Sequence, residues 1–210
     1  MNKITLSLTL LLSFTPVAFA GDAAAGKDKS LACSACHGAD GNSQVPMWPK
    51  LAGQNEKYLI KQLNDIKSGA RPVPTMAGQL DNMSDEDMAD IAAWYASQTI
   101  TGGQADPDKV AIGEKIYRAG NSARGVAACV ACHLPRGNGL APAGFPSLAG
   151  QHAEYLADQL RRFRSGAENT LEEDPNARTN DGDSRIMRDI ASRMSDKEID
   201  SVASYITGLY

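Results

Sequence analysis

The sequence predicts an all-α protein built from two tandem copies of one small helical unit. Three observations carry this. The 210-residue chain repeats itself, apolar residues recur at helical spacing in both copies, and no stretch alternates as a strand would. "WPKLAGQNEKYLIKQLNDIKSGA" (48–70) aligns with "FPSLAGQHAEYLADQLRRFRSGA" (145–167). Pro49, Leu51, Gly53, Gln54, Tyr58, Gln62, Leu63 and Gly69 thus recur as Pro146, Leu148, Gly150, Gln151, Tyr155, Gln159, Leu160 and Gly166.

Residues 1–20, "MNKITLSLTLLLSFTPVAFA", begin with a basic Lys3, continue through an apolar run and end in Ala18-Phe19-Ala20. That is the pattern of a secretory signal peptide, too short in its apolar run to span a bilayer. The mature chain is expected to begin near Gly21 and to lie outside the cytoplasm. The first unit then covers 21–101, a linker 102–109 and the second unit 110–210, because Gly102 and Gly103 suit a helix stop and Pro107 a new start. Within each unit Leu59, Leu63 and Ile66, or Leu156, Leu160 and Phe163, mark a helix, with Gly69 and Gly166 at its end. Ser84 with Asp87, and Ser195 with Glu198, form N-cap pairs that open the last helix of each unit. Trp94 and Tyr205 are equivalent on those last helices and are expected to pack near Gly26 and Gly113 of the first ones. "MAGQLDNMSDEDMADIAAWYAS" (76–97) matches "MRDIASRMSDKEIDSVASYITG" (187–208) only after about fourteen extra residues, within "ENTLEEDPNARTNDGDSRI". Polar, with Pro and Gly, that stretch reads as a surface loop.

The formal net charge of -4 gives no reason to expect nucleic-acid binding. The second unit holds ten Arg, including Arg161, Arg162 and Arg164, where the first has only Arg71. The simplest reading of that run is a solvated helix face; a surface for acidic redox partners is the functional alternative. Units of under about 100 residues struggle to bury enough core unaided.

All four cysteines fall in two Cys-x-x-Cys-His motifs: Cys33, Cys36 and His37, then Cys129, Cys132 and His133. Two thiols at this spacing add to the two vinyl groups of a haem, and the adjacent histidine is held beneath the iron. Adjacent Cys and His suit a tetrahedral zinc poorly, and a redox disulfide would need a βαβ pattern. The motifs therefore predict two covalently attached haem c groups, each also serving as the apolar core of its unit. His37 and His133 supply one axial iron ligand apiece.

The remaining histidine, His152, has Asn55 as its counterpart and reads as an exposed residue early in a helix. Methionine is the other common cap for such iron. Two methionine pairs survive the repeat: Met76 with Met187, and Met83 with Met194. Met83 and Met194 directly precede the N-cap serines, where an apolar side chain packs on the residue four past the cap, here Met88 and Ile199. That leaves Met76 and Met187 as the expected ligands. Met/His ligation raises the reduction potential and leaves no open coordination position, which describes a carrier rather than a catalyst.

The paired Cys-x-x-Cys-His motifs, the "P-x-L-x-G-Q" segments and the "M-x7-S-D-x-[DE]" endings resemble the dihaem c-type cytochromes of the cytochrome c4 group, over essentially the whole mature chain. The resemblance implies two class I cytochrome c domains related by a pseudo-two-fold, in the bacterial periplasm, passing electrons toward a terminal oxidase. It places the methionine ligands at Met76 and Met187. It also gives Pro49 and Pro146 a role: in Pro-x-Leu the proline carbonyl takes the proton of the iron-bound imidazole. The implied partners are a quinol-oxidising cytochrome complex as donor and a terminal oxidase as acceptor; any membrane association would be peripheral, and no small-molecule substrate is expected. Tyr58 and Tyr155 either reach haem propionates or pack in the core. The competing reading is a dihaem redox enzyme, peroxidase-like or acting on sulfur compounds, with one iron that opens.

Overall fold

The computed structural model describes residues 21–209; the expected signal peptide lies outside them. Nine α-helices are found there: α1 Ala23–Lys29, α2 Leu31–His37, α3 Glu56–Lys67, α4 Asp85–Ala96, α5 Pro107–Ala119, α6 Val130–His133, α7 Ala153–Glu168, α8 Ile186–Ala191 and α9 Asp196–Thr207. Single 3-10 turns lie at Pro74–Met76, Ser122–Arg124 and Ala141–Ala143. Pairing of extended backbone among the described residues is limited to two isolated bridges, Asn121 with Val126 and Leu140 with Phe145. No described helix is long and apolar enough to cross a membrane.

In each half the first helix crosses the last, α1 on α4 and α5 on α9. Glycine permits the approach. A Cβ on Gly26 would lie 1.9 Å from the Asp90 carbonyl oxygen, and one on Gly113 would lie 2.2 Å from that of Ser201 and 2.6 Å from Tyr205 Cβ. Tyr205 packs at this crossing as expected and stacks obliquely on Tyr117, ring centroids 5.7 Å apart. Trp94, half-buried, meets α1 next to Gly26, with Lys27 Nζ 5.7 Å from its ring.

Both predicted capping boxes form. Ser84 accepts from Asp87 N–H, Ser195 accepts from Glu198 N–H, and the acidic side chains reach back to the cap N–H groups. Two cores result, one around Leu59, Ile91, Ala92 and Tyr95, the other around Ile116, Tyr117, Leu156, Ile199 and Val202. Met194 and Ile199 are buried together in the second, while Met83 packs half-buried against the first.

Two expectations are corrected. Gly166 does not end its helix: α7 runs on to Glu168, and Gly166 lies buried inside it. The backbone of Arg178 crosses so closely that a Cβ there would lie 2.3 Å from the Arg178 carbonyl oxygen. Nor is the inserted stretch wholly a surface loop. Ala177 and Arg178 are buried, and Arg178 N–H donates to the Arg162 carbonyl at 2.9 Å. The loop's polar composition conceals an arginine whose partners come from elsewhere in the fold.

Candidate haem sites and the contact between them

Each Cys-x-x-Cys-His motif is wound into a short helix. Cys33, Cys36 and His37 lie on α2, and Cys129 caps α6, which carries Cys132 and His133. All four thiols are free of disulfides. Burial raises the Cys33 thiol and pushes Cys129 up to about 11, so both sulfurs are neutral. Among the described residues no three His, Cys, Asp or Glu side chains converge as a metal ion bound by protein alone would require.

The histidines are buried, 8% and 6% exposed. His37 Nδ1 lies 2.9 Å from the Pro49 carbonyl oxygen, and His133 Nδ1 lies 3.0 Å from that of Pro146. A carbonyl only accepts, so each Nδ1 carries the proton and each Nε2 keeps its lone pair. Burial pulls both imidazoles below their ordinary pKa, against the smaller opposing effect of the carbonyl contact. A neutral imidazole oriented through Nδ1 is the form that ligates a metal.

Met76 closes the turn Pro74–Met76, half-buried, and lines a cleft with Ile66, Pro72 and Leu80. Met187 is the second residue of α8, also half-buried. The loop before it is pinned by Arg188, whose Nε donates to Asp181 at 2.5 Å. The two halves therefore present these methionines from different local structures, a turn and a helix.

The halves meet through a polar contact centred on two buried arginines. Arg71 donates to Gln62 Oε1 (2.9 Å), Gln159 Oε1 (2.8 Å) and Tyr155 Oη (2.9 Å). Arg178 donates to Gln159 Oε1 (2.7 Å), Gln62 Oε1 (3.0 Å) and Tyr58 Oη (3.0 Å). Burial alone would raise the Tyr58 phenol, yet the charges of Arg178 and Arg71 bring it below its ordinary pKa. Among the described residues neither guanidinium touches a carboxylate. Two buried cations held by neutral oxygens and, at Arg178, by the Phe163 ring 4.3 Å away call for an anion. The carboxylates of a haem are of the right charge, so this cradle and the Cys and His donors together fit covalently bound haem.

Sequence reasoning had Tyr58 and Tyr155 in view but missed Arg71, Arg178 and the two glutamines. The available signal was the pair Ala177-Arg178 inside the inserted stretch, which repeats Ala70-Arg71 of the first half. His152 is also corrected. It is the half-buried N-cap of α7, and its Nε2 lies 2.9 Å from the Ser43 carbonyl oxygen across the contact. Its counterpart Asn55 donates to the Phe145 carbonyl at 2.7 Å. Both caps face the partner half, which is why neither is exposed. The Arg161, Arg162 and Arg164 face is largely self-neutralised, each guanidinium 2.7 Å from Asp200, Asp158 and Asp196 respectively.

A family model described as cytochrome c matches the chain twice, over residues 23–99 and 110–209. Cytochrome c4 of Pseudomonas aeruginosa is 54% identical over 211 residues, covering all of both chains. The crystal structure of reduced recombinant cytochrome c4 from Pseudomonas stutzeri superimposes with a TM-score of 0.85 at 50% identity, covering 91% of this chain and 100% of that one. A thiosulfate dehydrogenase electron acceptor of Stutzerimonas stutzeri is 39% identical, covering 86% of this chain and 80% of its own.

Proposed function

The chain belongs to the cytochrome c family, in its dihaem cytochrome c4 group, and from that premise we propose that it shuttles electrons through the periplasm from a quinol-oxidising cytochrome complex to a terminal oxidase. It is an electron carrier with two covalently bound haem c groups in two tandem all-α domains. Bound haem iron supplies reversible one-electron chemistry. Cys33 and Cys36, and Cys129 and Cys132, tether the groups by thioether bonds. His37 and Met76 ligate one iron, His133 and Met187 the other. Pro49 and Pro146 hold the imidazole protons at Nδ1 and so keep Nε2 turned to the metal. Arg71 and Arg178, with Tyr58 and Tyr155, receive haem propionates in the contact between domains.

The observation that carries this reading is the duplication of a complete donor set. Each half has a buried neutral histidine fixed by a proline carbonyl, 2.9 and 3.0 Å away, and a methionine at the repeat-equivalent position. With His37 and Met76, and His133 and Met187, holding the two irons, no coordination position would be left for a substrate, which suits electron transfer. The test is an optical spectrum of the reduced protein with and without carbon monoxide. Unchanged spectra at neutral pH are expected. Ready binding at either iron would bring forward the reading as a dihaem redox enzyme.

The relative described as a thiosulfate dehydrogenase electron acceptor favours a second donor, a thiosulfate-oxidising enzyme. Stopped-flow reduction by each donor decides between them: the kinetically competent one reduces the protein at turnover rates. Export is checked by N-terminal sequencing of periplasmic protein, expected to start at Gly21.

A further inference from the structure

The two proline carbonyls belong to peptide units whose other ends face the opposite half. The Pro49–Lys50 peptide meets His37 Nδ1 at its oxygen, 2.9 Å away. Its N–H donates to Gln151 Oε1 at 2.9 Å, and Gln151 Nε2 donates in return to the Lys50 carbonyl at 2.8 Å. The second half mirrors this. The Pro146–Ser147 peptide meets His133 Nδ1 at 3.0 Å. Its N–H donates to Gln54 Oε1 at 2.8 Å, and Gln54 Nε2 donates to the Ser147 carbonyl at 2.8 Å. Each glutamine amide fits in one orientation only, because an N–H must donate and a carbonyl must accept. The same Oε1 atoms also accept from the next backbone N–H in their own half, Asn55 at 2.9 Å and His152 at 3.0 Å, which fixes the side chains further.

We propose that Gln54 and Gln151 are positioning residues that act across the domain boundary: each sets, through a single peptide unit, the hydrogen bond that holds the haem-ligating histidine of the other half. This rests on the reading that His37 and His133 ligate iron. An amide is polarisable, so an acceptor at its N–H moves negative charge onto its oxygen. That oxygen then pulls harder on the Nδ1 proton, and Nε2 becomes a stronger donor. A stronger donor favours the ferric state. Removing the glutamine oxygen therefore raises the reduction potential of the iron in the other half. Gln54 is five residues from Pro49, in its own half. A merely local packing effect would reach His37, whereas the hydrogen bonds reach His133, and this crossing separates the two explanations.

The experiment uses the full-length dihaem protein. Nuclear magnetic resonance follows the His37 and His133 Nδ1 protons in the reduced state and the potential of each iron through a redox titration. The parent protein comes first: if its spectrum lacks iron-bound imidazole protons, the ligation reading fails before any variant is compared. In Gln151→Leu the His37 proton is expected to move upfield and the first-half potential to rise, with smaller changes in the second half. Gln54→Leu is expected to reverse the pattern. Larger changes in the variant's own half, equal changes in both, or none would overturn the proposal. Leucine also leaves the Lys50 or Ser147 N–H unpaired and can loosen the contact, so Gln151→Glu, which keeps an oxygen there, is the second variant. Its greater negative charge should move the His37 proton downfield and lower the first-half potential. A His37 shift in the same direction as with leucine would refute the mechanism.

Discussion

A thioether can close an iron only if nothing else claims the side chain. Met194 is buried in the second core beside Ile199, and Met83 packs against the first, so both already have apolar partners. Met76, half-buried at the end of its turn and lining a cleft, is free of that duty. Met76→Ala should therefore let carbon monoxide bind the first iron in the reduced protein while the second stays closed. The potential of the first iron should fall with loss of its soft ligand. A carbon monoxide difference spectrum checks this, and an unchanged spectrum would move the assignment to Met83. The Cys-x-x-Cys-His motifs were legible because every member sits within five consecutive positions. Arg71 and Arg178 were not, because the oxygens that hold them come from both halves of the chain. Neither guanidinium has a local sequence pattern that announces burial, and one is hidden in an insertion that reads as loop.

Helices are specified more locally than the contacts between them. The capping boxes were legible because Ser84 and Asp87, or Ser195 and Glu198, are three residues apart. The role of Gly166 was not, since the approach of Arg178 is set by tertiary packing. At the α1–α4 crossing the glycine is a steric requirement, so Gly26→Ala should separate the helices and cost about 1–3 kcal/mol by overpacking, read by thermal unfolding. The same crossing carries an acid-sensitive tie. Lys29 Nζ lies 2.8 Å from Asp87 and 2.6 Å from Asp90. Its hydrogen bonds, aided by Ser84 at Asp87 and by the Asp22 N–H at Asp90, hold both carboxyls below the usual carboxylate range. A carboxylate whose pKa is depressed by folding lends stability above its unfolded value, near pH 4, and loses it as pH falls toward the folded value. Lys29→Met should accordingly flatten the loss of stability below about pH 4, with the parent and variant melting curves converging in acid. Parallel curves across that range would show that the tie contributes nothing.

At the scale of the whole molecule, the arginine contact between the two halves is symmetric, and its symmetry decides what a substitution there can do. Gln62 and Gln159, from opposite halves, each accept from both Arg71 and Arg178. A change at either arginine is thus felt on both sides, unlike a change at Gln54 or Gln151, which acts mainly on one. Arg71→Gln removes a buried positive charge and leaves acceptors unpaired, at a cost of about 1–3 kcal/mol. Positive charge near an iron favours the ferrous state, so both potentials should fall in the variant, in the same direction. The group is buried, so the fall should persist at high ionic strength, where a surface charge would be screened. Potentiometric titration at low and high salt measures both points. If only the first-half potential moved, the arginine would belong to a single haem and the halves would be separate carriers on one chain. If both move together, the arginine's charge acts on both irons from the shared contact, and a substitution there cannot tune one carrier without the other.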